Sequence, residues 1–275
     1  MADYIAYLGP AGTFCEDAAR RYSDQKDLQL QPCRSIREVF QMIEQGKVKF
    51  GVVPIENSYE GAVNQTLDLL TADDNILLVG EIIIEVRQNL FTRKGLTRQE
   101  ITSVLSHSQA LAQCQEFLTA YLSEVELLEV SSTAAAARRV AESDQPWAAI
   151  GNAAAAQAYD LEILLSDIQD QSNNATRFVV LSQEQAVCTD NCKTSLLISV
   201  LDRPGALFEV LREFYIRDIN LCKIESRPAR TRMGDYLFFI DIEGYREQAR
   251  VREVLSALQG VAAEVRVLGS YHAAQ

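Results

Sequence analysis

Short apolar runs alternate with stretches whose apolar residues recur at helical spacing, through about residue 182 of the 275-residue chain. An apolar run over 5–8 ends at the turn Gly9-Pro10-Ala11-Gly12, and 14–22 reads as helix. Ser35, with Glu38 three residues on, predicts a capping box at a helix start. Strands are then expected over 50–55, 79–86, 102–105, 125–130, 147–150 and 177–181, and helices over 63–70, 110–121, 133–140 and 153–159. This alternation favours a mostly parallel sheet flanked by helices. It fits one large α/β domain or two lobes around a cleft, and the pattern does not choose between them.

From 182 to 194 the text changes to Gln, Glu, Asp, Asn and Cys with little apolar content, which marks a linker. Strand 195–201, helix 205–217, strands 222–226 and 236–242, helix 246–258 and strand 261–267 follow. That βαββαβ order is a ferredoxin-like fold. The tail 271–275 is expected to fray, with His272 idle.

Composition narrows the picture. A 48% hydrophobic content is enough for a sizeable core, and the net charge of −12 argues against a nucleic-acid or anionic-membrane partner. The most apolar stretch, 76–86, carries Glu81 and Glu85 and is too short to span a bilayer. The first residues lack the basic and apolar regions of a targeting segment. Six scattered cysteines lack the density of a disulfide scaffold, so a reduced cytoplasmic protein is expected. Cys188 and Cys192 read as solvated linker thiols rather than a redox or metal pair. His107 and His272 are the only histidines, too few to complete a zinc site with them.

Five segments stand out from ordinary strand and helix text. Gly9–Phe14 turns from strand to helix, where glycines let backbone N–H groups approach a ligand, although any such turn favours glycine. Pro54-Ile55-Glu56-Asn57-Ser58-Tyr59-Glu60-Gly61 sets a carboxylate, an amide and a hydroxyl at a strand's C-terminal end, where open α/β sheets bind ligands. Its bland alternative is a helix cap at Asn57 or Ser58 with Glu56 solvated. Ser106–Cys114 brings His107, either a general acid–base or a structural residue bonded to backbone, and Gln113, which lies on another helix face from Leu111. Ser131-Ser132-Thr133 suits an anion or simply caps a helix. Asp170–Phe178 offers Arg177, a carboxylate ligand or half of an internal salt bridge.

Taken together these segments resemble prephenate dehydratase. The Gly-Pro-Ala-Gly-Thr-Phe turn, Pro-Ile-Glu-Asn-Ser, the His107–Cys114 segment and Thr176-Arg177-Phe178 occur in that family's order. Asp202-Arg203-Pro204-Gly205-Ala206-Leu207 and Ile224-Glu225-Ser226-Arg227-Pro228 resemble its ACT regulatory domain. Ser108 stands where the family usually has Pro, and Cys15 where it has Ser or Thr. The resemblance implies a periplasmic-binding-protein-like, two-lobed catalytic domain over 1–182 and a ferredoxin-like ACT domain over 194–272, joined by a linker over 183–193. Lobe one would be about 1–77 and 161–182, and lobe two about 78–160. No mutase segment precedes residue 1, so a monofunctional enzyme is expected.

The implied reaction converts prephenate to phenylpyruvate in phenylalanine biosynthesis, without metal or organic cofactor. Thr176, Glu56, Asn57 and Gln113 would be catalytic: Thr176 as donor to the departing hydroxyl, Glu56 as the acid or as an orienting group. Gly12, Thr13, Phe14, Ser58, His107, Ser132, Thr133, Arg177 and Phe178 would hold substrate. Gly205, Ala206, Leu207, Asn220, Glu225, Ser226, Arg227 and Pro228 would bind L-phenylalanine as inhibitor, in a homodimer or homotetramer. Arogenate dehydratase and a non-catalytic amino-acid sensor are the competing readings.

Overall fold

The computed structural model describes residues 3–24, 26–229 and 236–274. In chain order they form β1 (Tyr4–Leu8), α1 (Phe14–Ser23), β2 (Gln29–Cys33), α2 (Ile36–Glu44), β3 (Phe50–Asn57), β4 (Gly61–Ala62), α3 (Asn64–Ala72) and β5 (Leu77–Glu85). Next come β6 (Asn89–Thr92), β7 (Ser103–Ser106), α4 (Ser108–Ala112), α5 (Gln115–Tyr121), β8 (Glu126–Glu129), α6 (Thr133–Glu142), β9 (Trp147–Gly151), α7 (Ala153–Ala158), β10 (Glu162–Leu165) and β11 (Ala175–Ser182). The last elements are β12 (Cys192–Val200), α8 (Ala206–Tyr215), β13 (Leu221–Pro228), β14 (Tyr236–Glu243), α9 (Ala249–Leu258) and β15 (Glu264–His272). The chain divides into two units, one of Met1–Val39, Val52–Gly61 and Ile83–Phe178, the other of Phe40–Gly51, Ala62–Ile82 and Val179–Gln275.

Strand alternation builds the first unit. Its five-stranded sheet runs β10-β6-β9-β7-β8, with β7 parallel to β8 and β9, and β6 antiparallel to β9 and β10. Successive residues point to opposite faces. Leu90, Val104, Ala148 and Ile150 therefore meet Ala110, Leu111, Cys114 and Leu118 on one side. Phe91, Leu105 and Ala149 meet Ala136, Ala137, Val140, Ala155 and Ala156 on the other. Alanines on α6 and α7 allow a close approach, so that a Cβ on Gly151 would lie 3.1 Å from Thr133 Cβ. A second sheet, β2-β1-β3-β11-β5 with β4 beside β3, opens with the parallel pair β1–β2, on which α1 packs.

The class is α/β, as expected, but the sheets are mixed rather than mostly parallel. The alternation does not announce β2, β6 or β10, which hold only four or five residues each and include Gln, Pro, Asn or Glu. Half of the expected box at Ser35 forms. Ser35 Oγ accepts from Glu38 N at 3.2 Å, while the Glu38 carboxylate accepts from Arg34 N at 2.6 Å, one residue earlier than the motif implies.

In the second unit β12–β15 form the βαββαβ fold, with strand order β13-β14-β12-β15 and antiparallel pairing throughout. Leu196, Ile198, Ile240 and Ile242 pack with Val210 and Phe214 of α8 and Val251, Val254 and Leu258 of α9. β15 also meets β5: a Cβ at Gly269 would collide with the Leu78 carbonyl. Lys193 Nζ lies 2.7 and 2.9 Å from the two oxygens of Glu81, a buried ion pair.

Two expectations fail here. The tail does not fray through 271 and 272, because β15 continues to His272: Tyr271 is fully buried with its hydroxyl 2.6 Å from Ser195 Oγ, and His272 Nδ1 lies 2.9 Å from Asp190 O. The linker thiols are neither solvated nor separate, since Cys188 and Cys192 are buried and joined as a disulfide. Among the described residues no helix is long and apolar enough to cross a membrane.

Candidate active site

Strand β3 ends on Glu56 and Asn57, and β11 begins beside them at Ala175. The Asn57 amide joins the two segments. Its Nδ2 donates to Asn174 Oδ1 and to Thr176 Oγ1, both at 2.9 Å, while its Oδ1 accepts from Tyr59 N at 2.9 Å and Glu60 N at 3.2 Å. Two donors and two acceptor positions are all in use, so the amide cannot turn over without losing several bonds. Thr176 Oγ1 is thereby held as an acceptor, which leaves its own hydrogen to point elsewhere. Ser58 reinforces the junction: its N donates to Ala175 O at 2.9 Å, and its Oγ accepts from Ala175 N at 3.0 Å. Neither Asn57 nor Ser58 caps a helix, because α3 begins only at Asn64.

Arg177, only 7% exposed, places Nη1 3.0 Å from Glu56 Oε1. The internal salt bridge weighed from sequence therefore exists, and it orients the Glu56 carboxylate.

Gln113 occupies a break in the expected helix 110–121. Asp170 makes the break: its carboxylate accepts from Glu116 N and Phe117 N at the start of α5, and its backbone N donates to Gln113 O at 2.7 Å. Gln113 consequently ends α4 instead of continuing the helix. Its Oε1 accepts from Nε2 of the buried Gln88 at 3.0 Å. Gln113, Asn174, Tyr59, Glu60, Gln169 and Asp170 are among the walls of a cavity of about 420 Å³, which brings Gln113 within one pocket of Asn174, the partner of Asn57.

The other expected ligands are more committed. Gly12 N donates to Glu16 Oε2 at 2.6 Å, and Thr13 Oγ1 donates to the Leu8 and Pro10 carbonyls while capping α1. Phe14 opens that helix. Ser132 Oγ caps α6 by accepting from Ala135 N at 3.0 Å, and Thr133 begins the same helix. His107 Nδ1 accepts from Gln109 N at 3.4 Å as N-cap of α4, which leaves Nε2 as the N–H. Phe178 is a core residue. Cys15, after the turn, is buried and its thiol is pushed up to about 12 by desolvation, so it is unreactive.

In the second unit Gly205 adopts φ 83° and caps α8 without a side-chain bond, with Ala206 buried and Leu207 half-buried behind it. Asn220 Nδ2 donates to Glu243 Oε1 at 2.8 Å. Glu225, Ser226, Arg227 and Pro228 lie on β13, where exposure alternates: Ser226 and Pro228 are exposed, Glu225 and Arg227 half-buried. Arg227 points to Asn64 and Asp68 of α3.

Sequence reasoning assigned no role to Asn174, Asp170 and Tyr59 within the segments it singled out, and passed over Gln88. Asn174 carried a signal, two consecutive asparagines just ahead of Thr176. Gln88 carried none, being one glutamine after a strand.

Residues 5–186 match the family model described as prephenate dehydratase, and residues 194–260 match that of the ACT domain. A bifunctional chorismate mutase/prephenate dehydratase of Aquifex aeolicus is 41% identical over 97% of this chain and 73% of its own length. A prephenate dehydratase of Methanocaldococcus jannaschii is 38% identical over 98% of each chain. The crystal structure of a prephenate dehydratase from Arthrobacter aurescens in complex with L-Phe superposes with a TM-score of 0.89 at 33% identity, covering 98% of this chain and 90% of that one.

Proposed function

The chain belongs to the prephenate dehydratase family and is an enzyme of that activity, and from that premise we propose that Thr176, Asn57, Glu56 and Gln113 carry the reaction. In it the bond from the ring to its carboxylate carbon breaks and releases carbon dioxide. The electron pair moves into the ring, and the opposite C–OH bond breaks. The departing hydroxide takes up one proton and leaves as water, and aromatisation drives the process.

The observation that carries the assignment is the fully engaged Asn57 amide. With Oγ1 accepting from Asn57 Nδ2, the Thr176 hydroxyl directs its hydrogen to the departing oxygen. A donor placed for charge that develops in the transition state is worth about 10²–10³ in rate. The ion pair with Arg177 supports an orienting role for Glu56 over that of proton donor. Gln113 orients the substrate. The dianion is held by local groups, because screening limits the repulsion of the net −12 charge to about 8–10 Å at physiological salt. Those groups are Arg177, Ser58, His107 and the helix starts at Ser132 and Thr133. Gly12, Thr13 and Phe14 contribute shape more than donors, and Phe178, buried in the core, anchors the strand β11 that carries Arg177.

Regulation is proposed at the ACT domain, with L-phenylalanine as inhibitor near Gly205, Ala206, Leu207, Asn220 and the Glu225–Pro228 segment. The ACT match and the L-Phe complex of the relative support it. The exposed start of α8 at Gly205 suits a carboxylate. Exposed Phe208, Tyr215 and Ile224 support assembly into a homodimer or homotetramer, and a cytoplasmic location suits a biosynthetic enzyme.

The test is phenylpyruvate formation from prephenate at neutral pH, with and without phenylalanine, beside Thr176→Ala. Expected are turnover that phenylalanine suppresses and a variant whose kcat falls about 10²–10³-fold at nearly constant KM. A variant with full kcat removes Thr176 from the mechanism. Turnover of arogenate in place of prephenate would reassign the substrate.

A further inference from the structure

Helix α3 lacks the usual means of closing its own ends. Val63 at its N-cap has no polar side-chain atom with which to cap it, and Asp73 beyond its last turn returns to extended backbone. Two arginines of the second unit's antiparallel sheet hold it instead. Arg227 of β13 donates Nη1 to Asn64 Oδ1 at 2.7 Å and Nη2 to Asp68 Oδ1 at 3.2 Å, in the first turns of the helix. Arg266 of β15 donates to the Leu70 and Thr71 carbonyl oxygens and pairs with Asp74, at the end where a helix dipole favours positive charge.

The sheet register brings both arginines to the same face. Glu225 stands opposite Phe239, Phe239 shares its row with Leu197, and Leu197 stands opposite Arg266; Arg227 stands opposite Leu237, two residues along. Leu197, Leu237 and Phe239 are buried on this side. Ile224, Ser226 and Pro228 take the other side of β13 and are exposed. The Glu-Ser-Arg-Pro segment thus has an open side and a side tied to α3. Arg227 Nε is buried without a hydrogen-bond partner among the described residues, so the guanidinium is anchored through its two terminal nitrogens alone. In sequence α3 starts three residues after Gly61, so it is joined by a short stretch of chain to the segment in which Asn57 holds Thr176.

We infer that Arg227 is a positioning residue rather than an effector ligand: amino acid bound on the open side of β13 shifts the strand, loosens Arg227 from Asn64 and Asp68, and releases the segment that carries Asn57. This inference rests on the reading of phenylalanine as inhibitor at the ACT domain. A coupling of about 5–150-fold in affinity is the usual range for such a link. The Arg227–Asp68 pair, part-exposed on both partners, is the kind of contact that exchanges readily.

The experiment measures phenylalanine binding by calorimetry and phenylpyruvate formation on the same preparations of wild type, Asp68→Asn, Arg227→Gln and the swap Arg227→Asp with Asp68→Arg. Asp68→Asn loosens the same contact that phenylalanine would. It is therefore expected to lower basal kcat at least about fivefold towards the inhibited level, to leave phenylalanine less than about twofold further to suppress, and to bind phenylalanine no more weakly than wild type. Full basal kcat with normal inhibition would overturn the inference. Those margins follow from removing a coupling of the usual size. The swap restores basal kcat and its suppression by phenylalanine in part, which a merely structural loss would not. Unchanged inhibition in both single variants overturns the inference. So does loss of binding confined to Arg227→Gln, which would make Arg227 a ligand contact. If Arg227→Gln does not fold, Asp68→Asn and its affinity-to-inhibition ratio decide alone. Wild type that binds no phenylalanine defeats the inhibitor reading itself and this inference with it, an outcome recognised because it appears without any substitution.

Discussion

The Asn57 amide uses every hydrogen and lone pair it has, and Thr176 Oγ1 is held by it as an acceptor, its own hydrogen turned away from Asn57. Glu56 stands one residue earlier and poses a sharper question, since its carboxylate is already paired with a buried guanidinium. If its role is to orient, Glu56→Gln keeps an oxygen for Arg177 and should lower kcat by about tenfold, without moving either limb of the pH–rate profile. Loss of one limb would restore Glu56 as proton donor. At this scale it is the motifs, not their roles, that could be read beforehand. Thr176, Asn57 and Gln113 stand in short motifs whose residue types suit the proposed chemistry. Gln88 and Asn174 act by reaching 25 and 117 positions along the chain, to Gln113 and Asn57. Such partners leave no local trace in the text.

Elements show the same division. The switch between the faces packed by Val104 and Leu105, or by Ala148 and Ala149, is plain alternation within strands expected from sequence. The break between α4 and α5 cannot, because apolar spacing runs through it and Asp170, more than fifty residues away, supplies the new cap. Asp170→Ala should therefore lower stability by about 0.5–2 kcal/mol in urea unfolding and raise KM through a displaced Gln113. Asp170→Asn, which keeps an acceptor for Glu116 N, should recover most of both. If KM is unchanged in Asp170→Ala, the break has no part in placing Gln113. Caps made by neighbours, as at Ser132 and Thr13, were foreseeable; a cap made across the fold was not.

At the scale of the whole molecule, the Lys193–Glu81 pair is a buried ion pair that ties β12 to β5 within the second unit. Removing one partner strands a charge, so Lys193→Met should cost about 3–5 kcal/mol, and Lys193→Met with Glu81→Leu distinctly less. Equal losses in chemical denaturation would show that packing, not charge, is at stake. Lys193 and Glu81 each read as an ordinary residue near a strand end, and Tyr271 as part of a loose tail, because only the fold reveals that β15 lies against β5. The six-element order of the C-terminal fold was legible, its attachments were not. Those attachments bear on how such enzymes can be recombined. The natural place to cut a chimera is the linker near residue 190, yet α3 and β5, encoded far upstream of that cut, rest on Arg227, Arg266, Lys193 and Gly269. A foreign regulatory module grafted there must bring the same four residues in the same register, or it inherits a host with a loose helix and a stranded acid. The heritable module and the mechanical part have different edges.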